Sequence, residues 1–425
     1  FCVAVISFFV KKTIYLIDKS LRNFYWCFSL LSWYMPFLSA RFSSEIWAGL
    51  FFLLAMSFLL DENKQTPWPK IGVLLGISFL FRFQMGILIF CLIVWLIMIR
   101  KVRFRELLNC LVPLFAIIQI GMLIDLWFYQ SYTLTFLNYV IAFISDTFLH
   151  PISLYGDSPW YTIIEYILYA PLLPFGLLLL LTLLMAFIKR RNKLIIWLVY
   201  VFIIFHMFIG HKELRFLFPI VYLLPFLVVL LWSPVISSFL RIYQTRSLLN
   251  ITANAIVVIL FITNLTALIL MMFMPADDGE KNVTNYISKR YEGAVHLVCY
   301  KSDDPFNVLY PLKEKFYLNK KVSAHKVESL EDASSLIKND TNTYLIFAHR
   351  ENNSDIKMLS SKGFELLEVF HSIPKLLVRL LSFFGYKIDS YLLYEIKIRN
   401  DHVKSIGVKE EYIKWKIAPP SSENK

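Results

Sequence analysis

In the stretch "MFIGHKELRFLFPIVYLLPFL" (207–227), His211, Lys212, Glu213 and Arg215 fall within five positions between two apolar runs. Arg and Lys supply charge-assisted hydrogen bonds to phosphate oxygens, and Arg215 lies one turn after His211 if a helix begins early, so three donors converge on a small volume. Glu213 is placed to pair with Lys212 or to fix the tautomer of His211. The plainer reading is a water-exposed loop joining two membrane helices. The brevity of the connection weighs against it, because so short a link holds Lys212 and Glu213 at the membrane edge, where charges tend to be functional. Arg41 and Glu45 are four apart, the spacing of a helix-surface ion pair worth a few tenths of a kcal/mol, with Ser43 or Ser44 as a helix N-cap. Arg82 fits a snorkelling side chain. Tyr155, Trp160 and Tyr161 fit interfacial aromatics, Asp157 beside Gly156 and Pro159 fits a turn, and Asp125 in an apolar run is expected to face a bundle interior.

The elements that hold these residues follow from composition. The 425-residue chain is 57% hydrophobic and 17% aromatic, and its apolar residues gather in runs such as "LLPFGLLLLLTLLMAFI" (172–188). About 20 apolar residues cross a bilayer, which predicts a polytopic, all-α membrane domain. The segments 71–99, 107–127, 161–188, 194–210, 214–232 and 250–274 are long enough to span, with shorter candidates at 24–38 and 45–60. The opening "FCVAVISFFV" has neither Met nor a charged region before it, so an N-terminal portion is expected to precede Phe1. Cys2, Cys27, Cys91, Cys110 and Cys299 make no paired spacing for a metal or a disulfide framework.

The net charge of +12 belongs mainly to the membrane part, where residues 1–275 hold 20 Lys and Arg against 10 acidic residues. Sixteen of those cations sit in five loops, "KKTIYLIDKSLR" (11–22), "DENKQTPWPK" (61–70), "RKVRFR" (100–105), "KRRNK" (189–193) and "RIYQTR" (241–246). The positive-inside rule places these loops in the cytoplasm, and nucleic acid is not needed to explain them. Alternation works if 71–99 is two short helices turning near "FRFQ" (81–84). The remaining cations, Arg41, Arg82, Lys212 and Arg215, then fall together on the exoplasmic side with Glu45 and Glu213.

The division is placed at 274/275. The chain beyond it has soluble charge density and strand-like runs at 294–300, 343–350 and 391–400, where Tyr394, Ile396 and Ile398 alternate with Glu395, Lys397 and Arg399. A small α/β exoplasmic domain is expected over 275–425. "LVRLLSFFGY" (377–386) suits a short helix that packs on this domain or touches the bilayer surface.

"GHKELRFLFPI" resembles the His-Lys-Glu-x-Arg-Phe signature of the family 22 glycosyltransferases, the lipid-linked mannosyltransferases of asparagine-linked glycan and glycosylphosphatidylinositol assembly, which have bacterial relatives. Four further segments occur in the family's order. "SARFSSE" is similar to its Arg-Thr-x-Ser-x-Glu element, "FRFQ" to its Phe-Arg-Pro-Thr element, "DLWFYQSYTLTFLNYV" (125–140) to its Asp-x-x-Phe-Tyr stretch, and "SLYGDSPWYTIIEYILYAPLLPFGL" (153–177) to its Tyr-Gly-x-x-Pro-Trp loop. "FRFQ" lacks the Pro, and Tyr161 and Thr162 replace the His-Trp that commonly follows the loop.

The resemblance implies a GT-C fold and an inverting transfer of mannose from a polyprenyl or dolichyl phosphate mannose to a glycan or glycolipid acceptor on the exoplasmic face. It implies His211, Lys212, Arg215 and Arg82 as contacts of the donor phosphate and Glu213 as their catalytic organiser, with Arg41, Glu45, Tyr155 and Trp160 in support and no metal or cofactor. The family's catalytic base belongs to a first exoplasmic loop, which would precede residue 1. The competing class is a flippase or transporter of lipid-linked sugars, but transport needs access from both faces and the exceptional charges lie on one. Short loops suit a bacterial inner membrane, whereas Asn282 in "NVT" fits a glycosylation acceptor of the endoplasmic reticulum.

Overall fold

The computed structural model describes residues 1–61, 65–145, 157–171, 173–190, 193–243, 247–273, 279–306, 322–337, 343–383 and 390–398. The chain divides into two compact units, Phe1–Met272 and Phe273–Lys425.

The first unit is helical. Its elements are α1 (Cys2–Thr13), α2 (Arg22–Leu31), α3 (Tyr34–Ala40), α4 (Ser44–Leu59), α5 (Trp68–Phe81), α6 (Met85–Met98), α7 (Phe104–Tyr129), α8 (Thr135–Ile144), α9 (Thr162–Tyr169), α10 (Leu173–Arg190), α11 (Leu194–Phe208), α12 (Phe218–Val221), α13 (Leu224–Tyr243) and α14 (Ser247–Phe273). By length and composition, α7 alone among single helices of the described residues is able to cross a membrane, and two bent pairs, α3 with α4 and the 214–221 segment with α13, join it if each is one span. The expected continuous spans are therefore more broken than hydropathy implied. The run 214–232 bends by 61°, where Pro225, lacking an N–H, opens α13. The run 161–188 divides between α9 and α10. The expected turn at "FRFQ" is present: α5 ends where Arg82 takes an extended backbone, and α6 starts at Met85.

Small residues set a close helix contact. Gly72 and Gly76, four apart on α5, lie against α7, where an added Cβ would come within 2.0 Å of the Cys110 carbonyl oxygen and 2.7 Å of the Ile117 Cβ. With no side chain at either position the two backbones meet directly, the packing that small residues at four-residue spacing allow between apolar helices. The opposite side of α7 carries exposed Phe104, Leu108, Val112, Phe115, Leu123 and Trp127, the composition of a surface that faces hydrocarbon. Asp125 is half-buried and lines a cavity of about 210 Å³ with Phe79, Phe83 and Phe136.

The second unit is built on a five-stranded mixed sheet of order β2-β1-β3-β5-β4, comprising β1 (Val295–Tyr300), β2 (Val322–Val327), β3 (Thr343–His349), β4 (Phe364–His371) and β5 (Tyr391–Ile398). β1 runs parallel to β2 and β3, while β5 is antiparallel to β3 and β4. Period-two alternation sends Leu297, Phe347 and Leu393 to one face with Val283 and Ile287 of α15 (Glu280–Arg290). Val298, Ile346 and Tyr394 go to the other, against α16 (Leu330–Leu336) and α17 (Asn353–Lys357). The runs expected as strands are β1, β3 and β5. β2 and β4 were not anticipated: "VSAHKV" is short and polar, and "FELLEVFH" changes register between Glu368 and Phe370, which breaks its alternation. The expected short helix is α18 (Lys375–Phe383).

Candidate functional site

An N-cap and two helix contacts inside the first unit gather the charges. On α4, Glu45 sits in the first turn behind the N-cap Ser43, whose Oγ accepts from the Ile46 N–H at 3.4 Å. One turn further on, Gly49 meets Pro219 of α12 so closely that an added Cβ would lie 2.9 Å from the Pro219 Cα. Pro219 is itself four residues after Arg215, so this glycine contact draws Arg215 towards Glu45. On the α5 side, the Ser78 hydroxyl donates to the Ala48 carbonyl at 2.7 Å, and Ser78 is four residues before Arg82. Each arginine is thus held near one carboxylate by a contact a helical turn away.

The outcome is a cluster around a buried acid. Glu45 is only 3% exposed, and its Oε1 lies 3.4 Å from Arg82 Nη1 and 3.9 Å from Arg215 Nε. Ser44 Oγ donates to its Oε2 at 3.2 Å. Its place at the N-terminus of α4 adds favourable helix-dipole interaction. Arg82 also donates through Nε to Gln84 at 3.2 Å and stands over the Phe216 ring at 5.5 Å. Glu213 joins the other side: Arg215 donates to its Oε1 through Nη2 at 2.8 Å and also pairs through Nε, and His211 Nε2 lies 2.9 Å from the same Oε1. Burial works against the charge of Glu213, but hydrogen bonds from Arg215 and His211 and their positive charge outweigh it and hold its carboxyl below the usual range. Arg215 remains about half exposed, which leaves part of its five-donor fork open to a ligand.

Phe216 is the hub of this arrangement. It is buried, Arg82 stands over it, and the rings of His211 and His206 lie 6.0 and 6.1 Å from it. His206 was missed in the sequence, where a lone His in "VFIIFHMF" carries no spacing signal. It is 1% exposed; its Nδ1 is 2.8 Å from the Phe202 carbonyl oxygen, and its buried Nε2 has no hydrogen-bond partner among the described residues.

Lys212 departs from the expected part. Its ammonium turns inward, 6% exposed, and donates to the carbonyls of Ser158 at 2.7 Å, Gly210 at 3.4 Å and Ile209. An ammonium has three N–H donors, so all are engaged and none is left for a phosphate. The Ser158 N–H donates in turn to the Gly210 carbonyl at 2.9 Å, and the Tyr166 hydroxyl donates to the Lys212 carbonyl at 3.2 Å. Lys212 therefore latches the 157–159 segment and α9 to the 209–213 loop. Burial lowers its affinity for the proton, against a smaller opposing effect of the Asp157 charge.

Two other expectations meet a different geometry. Arg41 and Glu45 do not share a helix, because the chain bends by 111° between α3 and α4. Arg41 stacks over Phe37 at 3.9 Å and enters no ion pair among the described residues. Trp160 is 60% exposed, edge-on to Tyr161 at 5.9 Å, and is not drawn into the cluster. Tyr155 lies outside the described residues. Among the described residues no group of three His, Cys, Asp or Glu is arranged to hold a metal ion.

The Alg9-like mannosyltransferase family matches residues 1–308, a range that contains every residue of the cluster. The chain belongs to this family. It is a membrane glycosyltransferase. Among solved structures it is similar to ArnT from Cupriavidus metallidurans bound to undecaprenyl phosphate, with a TM-score of 0.50 and 10% identity over 93% of this chain and 83% of that one. ArnT in the apo state is also similar, with a TM-score of 0.46 and 11% identity over 93% and 82%. At such identity the first likeness concerns the fold, and a GT-C architecture fits it. A comparison with curated proteins finds no match.

Proposed function

We propose that this glycosyltransferase moves mannose, with inversion, from a polyprenyl or dolichyl phosphate mannose to a glycan or glycolipid acceptor at the exoplasmic face of its membrane. Family membership supports the sugar, and the undecaprenyl phosphate of the ArnT structure supports a lipid phosphate as carrier. The observation that carries the site assignment is the convergence of Arg82 and Arg215 on one buried carboxylate, with Arg215 still half exposed.

An acceptor hydroxyl attacks the anomeric carbon and gives its proton to a carboxylate. The bond from that carbon to the phosphate oxygen breaks, and the lipid phosphate departs with the electron pair. Arg215 and Arg82 neutralise the charge that develops on the departing oxygen, and His211 adds a donor when protonated. Glu45 and Glu213 hold the two guanidiniums in place before the donor arrives, so little reorganisation accompanies reaction. Lys212 acts one step removed, by fixing the loop that carries His211 and Glu213. Short loops favour a bacterial inner membrane over the endoplasmic reticulum.

The test is transfer from a polyprenyl phosphate mannose by the membrane-reconstituted protein and its Arg215→Ala variant. The variant is expected to lose transfer by on the order of 100-fold, the usual cost of removing one preorganised donor, with Arg215→Lys restoring only part because it lacks the fork. Unchanged transfer by Arg215→Ala would sink the assignment.

A further inference from the structure

We propose that α18 of the second unit is a membrane-surface anchor, seated on the headgroup region of an anionic bilayer. The helix reads "KLLVRLLSF", with two apolar sides and no acidic residue. Leu377, Val378 and Leu381 are buried within the unit at 8%, 8% and 6% exposure, which accounts for one side. Leu376 and Leu380, one turn apart, point outward at 72% and 38% exposure. Exposed Lys375 and Arg379 precede each of them directly. Large apolar side chains standing alone on a surface need no explanation, but a pair on one turn forms a patch. Among the described residues of this unit only Met358 and Leu367 are otherwise large, apolar and exposed, so half of such side chains belong to this helix.

The pattern selects the occupant. A leucine pair bordered by cations, on a helix already fixed by its other side, matches an interface helix that sinks apolar side chains below the headgroups while Lys and Arg reach out to lipid phosphates. Lys375 is additionally held by Glu368 Oε1 at 2.6 Å, which ties the start of the helix to β4 without burying the ammonium. Supply is local as well: α14 is an apolar helix ending at Phe273, and α15 begins at Glu280. The six residues between them tether this unit covalently to α14, and tethering of that kind makes even a weak surface contact persistent. The inference rests on the membrane character of the family and not on the identity of the sugar donor.

The experiment uses the full chain in vesicles of phosphatidylcholine, with and without phosphatidylglycerol. A nitroxide is placed at position 376 by Leu376→Cys in a background carrying Cys2→Ser and Cys27→Ser, and a reference nitroxide by Lys357→Cys. Collision with oxygen and with a water-soluble nickel chelate reports depth. The 376 label is expected to collide severalfold more with oxygen than with nickel in anionic vesicles, and Arg379→Glu to reverse that ratio, while the 357 label stays in water. A water-phase signal at 376 in both compositions would overturn the proposal. So would spin–spin broadening that grows with protein-to-lipid ratio, since it would identify a second copy as the occupant. Transfer activity measured on the same vesicles separates the two readings: a water-phase label with intact transfer removes the anchor and leaves the donor site standing.

Discussion

Lys212 and Arg215 are three residues apart and carry the same charge, yet the structure gives them opposite surroundings. Lys212 is buried and spends its ammonium on backbone carbonyls from two loops. Arg215 is half exposed and shares its guanidinium between Glu213 and Glu45. One is a latch with no donor to offer, and the other is a fork with room for a ligand. The difference follows from shape: a compact ammonium fits a nest of carbonyls, whereas a planar guanidinium fits carboxylate and phosphate edges. A basic residue in a signature is therefore not yet a phosphate contact. What its hydrogens already hold decides that.

The largest effect is expected on the latch. Lys212→Ala strands carbonyls of Ser158, Gly210 and Ile209, at roughly 1–3 kcal/mol for each acceptor left buried without a donor. A substantial fall in melting temperature of the purified protein should accompany complete loss of transfer. Arg215→Ala should separate the two readouts: transfer collapses while melting temperature falls less than for the latch, because Glu45 keeps Arg82 as its partner. If both variants melted alike, the distinction between latch and fork would be wrong.

A smaller effect concerns acid. The Glu213 carboxyl is depressed in the folded protein, so its contribution to stability is complete above the ordinary glutamate range and is lost as pH falls through the lowered folded value. The stability difference between the parent and Glu213→Gln should be constant at neutral pH and shrink only below that range. A difference that already declined between about pH 6 and pH 5, above the ordinary glutamate range, would point to another group. Smallest of all is Arg41→Ala. Stacked on Phe37 and outside the cluster, it should leave stability within about 0.5 kcal/mol and spare transfer.

How much of this was legible in the sequence divides along the same line. Counting charges by side picked out Arg41, Arg82, Lys212 and Arg215 with Glu45 and Glu213, and the break at "FRFQ" followed from keeping both ends of 71–99 on the basic side. The pairing of Glu45 was misjudged, since an i,i+4 rule holds only within one helix and the bend at 41–43 takes Arg41 away. The inward turn of Lys212 uses two nearby carbonyls and one 54 residues distant, and nothing local encodes the distant one. Gly49 against Pro219 is similar: each is an ordinary residue in its own helix, and only their contact shows why Glu45 meets Arg215. In the second unit, strands with regular alternation were foreseen, and the polar β2 and bulged β4 were not.

The central claim is that the Arg82–Glu45–Arg215 cluster holds the phosphate of the lipid carrier. Its most direct test is equilibrium binding of a sugar-free polyprenyl phosphate to the membrane-reconstituted protein, comparing the parent with Arg215→Ala. The account predicts affinity weaker by at least about tenfold, or about 1.4 kcal/mol, in a variant that still folds. Equal affinity in the two proteins would contradict it.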